Sequence, residues 1–461
     1  MSAAVLAGRR VTVMGLGLQG GGVEVVRFLA ACGAVVTVTD KRPAEKLRES
    51  LDAIAGLGVR TVLGQHVESD FTSAELVVAN PAVAPSNPLL VAARAAGVSV
   101  TSEMALFLAA CPARVVLITG TQGKSSTTHA TARLLEESGS RVHLGGNIGR
   151  ALISSLDDMR PEDVAVVEIS SYQLEALPEG FGPCERVAAV ACVNVLSDHL
   201  ERHGTVEGYD AAKRRILELA PAGATVVLSA DDPRVGRWNA PRGRVLRFST
   251  AVGAHTPLHL AAGEFRLGTE TLGYIADLRL PGEFQRGNML AALGLAHALG
   301  AAPAALARAV GEVRGLEHRL QDLGEFAGHR VWDNGISTTP DSTVSALRSL
   351  AGPLVLLCGG QAKEGLPLDE LATLARERAR AVVTFGGSSE LLAAAFRAAG
   401  ATVSAAPTLR EAVALAWNQV HPGEALLFSP ACASFDEFLN FRDRALRFRE
   451  HLQSACTSPS R

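Results

Sequence analysis

Short apolar runs recur along the chain, each closing on a glycine or a polar residue and each followed by apolar positions at helical spacing. Residues 11–14 form one such run, ending in Gly15-Leu16-Gly17-Leu18-Gln19-Gly20. The stretch behind it places Val23, Val26, Leu29 and Ala30 on one face of a helix. A second run at 35–39 ends at Asp40-Lys41-Arg42, and a third at 76–79 ends at Asn80-Pro81. Such a series predicts a parallel sheet covered on both faces.

A second series opens at 115–118, with further strands predicted at 164–169, 187–193 and 225–228. Glycine-rich turns between 240 and 280 predict a small β excursion, and 288–297 predicts a helix. After Gly315 a third series has strands predicted at 354–357, 381–385, 402–403 and 426–428. The expected fold class is therefore α/β, in three units at 1–102, 103–315 and 316–461.

Length agrees, since 461 residues make two to four domains at about 100–200 residues each. Hydrophobic residues make up 48% and charged residues 20%, the composition of a globular chain. Net charge is −3 with no basic stripe, which argues against nucleic-acid binding. The seven cysteines form no CxxC pair and are expected to be reduced, mostly buried thiols in a cytoplasmic protein. Arg9 and Arg10 run straight into the first strand, so no signal peptide is expected, and no apolar run is long enough to span a membrane.

The sharpest chemical signal is Gly120-Thr121-Gln122-Gly123-Lys124-Ser125-Ser126, between a predicted strand and a predicted helix. A junction of this kind aims backbone N–H groups and a helix N-terminus at an anion. Lys124 would reach terminal phosphates, and the Ser125 hydroxyl would bind Mg²⁺. Ile118 stands where the longer GxxxxGK loop has its first glycine, so this is the shorter GxxGK form. The first glycine-rich turn matches GxGxxG, with Asp40 where a ribose contact is common. A dinucleotide site, a nucleotide-sugar site and plain helix–strand packing all satisfy that pattern.

Glu168 ends a strand expected beside the phosphate-loop strand, where a carboxylate would hold Mg²⁺. His199 follows another strand end, beside Asp198, Glu201 and His203. Lys213 lies on a predicted helix with Arg214 and Arg215, and composition alone favours a basic, solvent-facing surface there.

Taken together, these motifs closely resemble the Mur ligases, and within them the branch that adds D-glutamate. The resemblance also rests on the segments 145–149, 167–175 and 315–319, and above all on Ser429-Pro430-Ala431-Cys432-Ala433-Ser434-Phe435-Asp436-Glu437-Phe438-Leu439-Asn440-Phe441. It implies a Rossmann-like N-terminal domain, a central P-loop ATPase domain and a Rossmann-like C-terminal domain. It also implies ATP, two Mg²⁺ ions, and UDP-N-acetylmuramoyl-L-alanine and glutamate as substrates of a monomer. By resemblance, Leu18, Gln19, Asp40, Lys41, Arg42 and Asn80 match the uridine-nucleotide end, and no NAD is expected. Asn147, Ser170 and Gln173 match the muramoyl channel. Ser125, Glu168, His199 and Lys213, the last as a carbamate, match metal ligands; Lys124, His199 and Lys213 match the catalytic set. Asn288 and Arg319 match the ATP site, and Thr338, Lys363, Ser434 and Phe441 the glutamate site.

One segment departs from the family pattern, in which Asp-Ser-Lys-Ala-Thr-Asn is common. Asn334 stands at the Asp position and Ile336 at the Lys position. Asp333, one residue earlier, is then expected to serve the ATP ribose beside Asn334. Loss of the lysine removes a charge near the amino-acid pocket. D-glutamate remains the expectation; L-glutamate, or another Mur or folylpolyglutamate-type ligation, is the alternative.

Overall fold

The computed structural model describes residues 3–17, 21–149, 151–362 and 367–457. The chain divides into two compact units, residues 1–278 with 284–313, and residues 279–283 with 314–461.

The first unit holds two sheets. β1 (Arg10–Met14), β2 (Val35–Asp40), β3 (Arg60–Leu63), β4 (Leu76–Ala79) and β5 (Ser99–Thr101) are parallel, in the order 3-2-1-4-5. Strand order reverses between β1 and β4, which opens a crevice at their carboxyl ends. Helix Gly21–Ala31 packs on this sheet through Val23, Val26 and Leu29. A Cβ on Gly22 would lie 2.2 Å from the Leu16 carbonyl oxygen, so the helix can start this close to the turn only with glycine there.

The second sheet contains β6 (Arg114–Thr119), β7 (Val142–Gly146), β8 (Val164–Glu168), β9 (Val187–Cys192), β10 (Thr225–Ser229) and β11 (Arg244–Ser249). β12 (Leu258–Ala261), β13 (Glu264–Leu267) and β14 (Glu270–Tyr274) complete it, in the order 14-13-12-11-10-9-6-8-7. β6 sits between β8 and β9, so the ends of these three strands are neighbours. β13 and β14 run antiparallel, the β excursion expected between 240 and 280. Helix Glu103–Ala110 serves both sheets: Leu106 enters the core of the first, and Met104 and Phe107 that of the second.

The second unit contains β15 (Gln321–Phe326), β16 (His329–Asp333), β17 (Leu354–Gly359), β18 (Ala379–Phe385), β19 (Val403–Ala405) and β20 (Ala425–Ala431), in the order 15-16-20-17-18-19. Along β17, Leu354, Leu356 and Cys358 enter one apolar cluster, and Val355 and Leu357 enter another. Successive side chains point to opposite faces, so a strand buried on both sides must be apolar throughout. Among the described residues no helix is long and apolar enough to cross a membrane. All seven cysteines are free thiols, and Cys111, Cys192, Cys358 and Cys432 are buried.

β3, β5, β7 and the β15–β16 hairpin were not among the predicted strands. The hairpin pairs antiparallel and carries Gln321, Asp322 and Glu325, which break the apolar run that marks the interior strands.

Candidate active site

At the β1–β4 crevice, Asp40 is buried and shapes the glycine-rich turn. Its Oδ2 accepts from the Gly17 amide at 3.1 Å, and its Oδ1 accepts from the Arg42 amide at 2.9 Å. Lys41 and Arg42 are exposed around it. Asn80, at the end of β4, packs against Gly15, where an added Cβ would lie 3.0 Å from the Asn80 Cβ. Leu18 and Gln19 lie outside the described residues.

The phosphate-loop motif joins β6 to helix Lys124–Glu137. Gly123 caps that helix in the left-handed region, and a Cβ there would strike Asn288 Oδ1 at 2.2 Å. Asn288, on helix Phe284–Ala298, thus lies directly against the loop. Asn194, just past β9, holds the loop from the other side. Its Oδ1 accepts from the Thr121 and Gln122 amides at 2.9 Å each, and its Nδ2 donates to the Gln122 carbonyl at 3.0 Å. Nothing in the sequence reading singled out Asn194. Lys124 Nζ donates to the Thr121 carbonyl at 2.8 Å, and Ser125 is buried in the first helical turn.

Glu168 ends β8, and its register partner on β6 is Ile118, as expected. It is 1% exposed. Its Oε1 accepts from Asn147 Nδ2 at 2.7 Å, while Oε2 is buried with no hydrogen-bond partner. The Thr119 hydroxyl, at the end of β6, is likewise buried without one. A buried carboxylate oxygen left unsatisfied is costly without a cation or a donor beside it. The donor set therefore fits a hard divalent cation at Glu168.

Ser170 and Gln173 form a capping box on the helix that follows. The Gln173 amide donates to Ser170 Oγ at 3.2 Å, and the Ser170 amide to Gln173 Oε1 at 3.0 Å. The sequence reading assigned them to a substrate channel; in the structure their polar groups meet one another.

Lys213 is only 1% exposed, so the helix is not the solvent-facing surface that composition favours. Its Nζ donates to the Gly120 carbonyl at 2.7 Å and lies 4.5 Å from the Tyr209 ring centroid. Burial, and next the charge of Lys124, push its pKa down to about 7, against the pull of Asp198 and Glu168. His199 lies in the left-handed region at φ 51°, with Asp198 and Glu201 each 3.5 Å from one of its ring nitrogens. The Tyr172 ring meets it edge-on at 5.1 Å. Among the described residues, no three His, Cys, Asp or Glu side chains converge as a ready metal cluster.

In the second unit, Asp333 is fully buried. Its Oδ2 accepts from Arg449 Nε at 3.0 Å and faces His318 Nδ1 at 2.7 Å, while its Oδ1 accepts from the Gly335 amide at 2.9 Å. Asn334 accepts from the Leu320 amide at 3.1 Å and donates to Ser429 Oγ at 2.9 Å. Asp333, expected at the ATP ribose, and Asn334, expected on the ATP side, thus both hydrogen-bond within the unit. Thr338 is half-buried, Ser434 is buried and Phe441 is exposed. Lys363 lies outside the described residues.

Arg444, which the sequence reading did not identify, is fully buried. Its guanidinium donates to the carbonyls of Cys432, Ala433, Gly335 and Ser337 at 2.9–3.3 Å and to that of Gly359 at 3.4 Å. It thereby fastens three turns at the carboxyl edge of the third sheet.

Backbone strain marks the same segments. Among the described residues, six non-glycine residues have positive φ. Ala262 and Ala327 lie at hairpin turns. The others are His199, His318 and Leu320 on either side of Arg319, and Ala431. Strain of this kind gathers at functional sites.

Family models match along the chain: a Mur ligase MurD-like N-terminal domain at 9–102, a Mur ligase middle domain at 118–296 and a Mur ligase glutamate ligase domain at 318–432. A UDP-N-acetylmuramoylalanine–D-glutamate ligase of Roseiflexus sp. (strain RS-1) is 38% identical, across 97% of this chain and 99% of that protein. The enzyme of the same name from Geobacter metallireducens is 38% identical across 96% and 97%. The crystal structure of UDP-N-acetylmuramate-alanine ligase MurC from Thermotoga maritima shares the fold, with TM-score 0.61, 19% identity and coverage of 97% and 100%. The chain belongs to the Mur ligase family, in its UDP-N-acetylmuramoylalanine–D-glutamate ligase branch.

Proposed function

We infer that the chain uses ATP to join D-glutamate to UDP-N-acetylmuramoyl-L-alanine, a step in peptidoglycan precursor synthesis. The observation that carries the site assignment is the buried, unsatisfied Glu168 carboxylate oxygen, on the strand beside the one that leads into the Gly120–Lys124 loop. The enzyme is read as a cytoplasmic monomer, with domains at 1–102, 103–315 and 316–461.

The C-terminal carboxylate of the muramoyl substrate attacks the γ-phosphorus of ATP. The bond to the β–γ bridging oxygen breaks, leaving ADP and an acyl phosphate. The glutamate amine then attacks the acyl carbon, phosphate departs, and the nitrogen loses its proton. Because carboxylate and triphosphate are both anions, charge neutralisation and alignment dominate the first step. Lys124 and the loop amides orient the terminal phosphates. Ser125, Glu168, His199 and Lys213, once carbamylated, would hold magnesium, which when bound offsets the phosphate charge. A pKa of about 7 supports carbamylation, since it leaves much of Lys213 as the free amine that adds to CO₂. The product is an anion, which suits a place beside cations better than an ammonium does. Asp40, Lys41, Arg42 and Asn80 take the uridine-nucleotide end, and Arg319 and Asn288 the ATP side. Thr338, Ser434 and Phe441 take the amino acid.

The test is ligation of UDP-N-acetylmuramoyl-L-alanine with each glutamate enantiomer, followed by phosphate release. D-glutamate is expected to support turnover, and the Lys124→Ala enzyme to lose at least about a hundredfold of it. Equal use of the two enantiomers, or near-normal turnover in Lys124→Ala, would contradict this reading.

A further inference from the structure

Arg202 has no role in the site as assigned, yet its surroundings tie two parts of that site together. It lies one helical turn past His199, with its backbone N–H donating to the His199 carbonyl at 3.1 Å. Its side chain is 9% exposed. Nε donates to Glu175 Oε2 at 2.7 Å, and the two terminal nitrogens donate to the carbonyls of Pro81, Ala82 and Val83 at 3.1–3.3 Å. Those carbonyls belong to the loop that leaves β4 at Asn80, the residue that packs on the Gly15 turn. The guanidinium also lies 4.9 Å from the Tyr172 ring centroid, and Tyr172 in turn meets the His199 ring edge-on.

A largely buried guanidinium holding one carboxylate and three main-chain oxygens fixes all of them in one arrangement, because its donors form a rigid fork. Displacing the loop after Asn80 would break these bonds and shift the turn that carries His199.

Resting on the ligase reading above, we propose that Arg202 is a positioning residue that couples the β1–β4 crevice to the His199 loop. Occupancy of the nucleotide-sugar end and the placement of His199 then depend on one another. A lysine cannot reproduce this, since one ammonium cannot reach Glu175 and three carbonyls together.

The test compares full-length wild type, Arg202→Ala and Arg202→Lys in melting temperature and in ligation kinetics, varying each substrate and Mg²⁺ in turn. Arg202→Ala should raise the KM for UDP-N-acetylmuramoyl-L-alanine and the Mg²⁺ needed for half-maximal rate about tenfold each, the loss expected for charged hydrogen bonds. The KM for glutamate should stay within about twofold, since Arg202 touches none of the residues assigned to it. Arg202→Lys keeps the charge and one bond, so it should still unfold cooperatively, melting between Arg202→Ala and wild type, and still show the shift in muramoyl-substrate KM, so a poorly folding alanine variant leaves the test intact. A fall in kcat with both KM values and the Mg²⁺ requirement unchanged would mean a merely structural role and overturn the coupling. So would an Arg202→Lys enzyme with wild-type constants. A wild-type chain that fails to ligate overturns the functional reading and the coupling together, whereas normal wild-type ligation with unshifted variants overturns the coupling alone.

Discussion

The ends of β6 and β8 and the segment 333–337 are both buried and polar, but they differ in how their polar atoms are satisfied. At the strand ends, Glu168 Oε2 and the Thr119 hydroxyl are sealed from water without partners, and Lys213 carries a depressed pKa. In the segment, Asp333 is met by His318, Arg449 and the Gly335 amide, and Asn334 by Leu320 and Ser429. A group awaiting a ligand is costly to bury alone, while a structural group is already satisfied. The first region has the character of a binding site and the second that of scaffold.

The most demanding challenge to this contrast is Glu168→Gln. It removes the negative charge but keeps an oxygen for Asn147, so the melting temperature should fall little. Turnover at saturating Mg²⁺ should drop about a thousandfold. Turnover within tenfold of wild type would erase the distinction between the two regions.

Lys213→Ala sharpens it next. Activity should fall about a hundredfold and recover partly with added short carboxylic acids that replace the lost anion. The pH dependence has a definite sign. A lysine lowered from 10.5 to about 7 is mostly protonated below pH 7 and mostly free amine above it. Enzyme stripped of CO₂ should therefore regain activity on adding bicarbonate above pH 7 and regain little at pH 6. Folding stability follows the same linkage: this group's contribution is fully present above pH 10.5 and is lost as pH falls toward 7. Bicarbonate rescue independent of pH would contradict a carbamate at this position.

Asp333→Asn gives the smallest kinetic effect and the converse result. Stability should fall by about 2 kcal/mol, since charge-assisted hydrogen bonds are weakened, measured by denaturant unfolding. The KM for ATP should change less than about threefold if the carboxylate does not touch the nucleotide. A large rise in that KM with unchanged stability would instead put Asp333 at the nucleotide.

Strands with a neighbour on each side were legible where they are apolar throughout, as at 115–118 and 354–357, but not at β16, which carries His329, Arg330 and Asp333. Three edge strands were not: β3 is half-exposed, β5 has three residues, and β7 carries two glycines, whereas the edge strand β19 overlaps the run expected at 402–403. A strand with a single neighbour need not be apolar on both faces, so its pattern fades into that of a loop. In the site, Lys124 and Glu168 lie on the elements that their motifs imply, at the start of the helix after β6 and at the end of β8. Ser170 and Gln173 also fit the helix-cap spacing, a signal that competes with any ligand role. Arg202 and Arg444 were missed because a buried arginine reads as an ordinary charged residue on a helix; only the fold supplies the carbonyls that surround it.

Arg444 grips main-chain oxygens, including those of Gly335 and Ser337 on either side of Ile336. Every amino acid offers the same carbonyl, so the clasp is indifferent to which side chains line the rim. Such a turn can trade a lysine for an isoleucine without losing its shape, leaving position 336 open to change over evolutionary time while the backbone beneath it stays fixed.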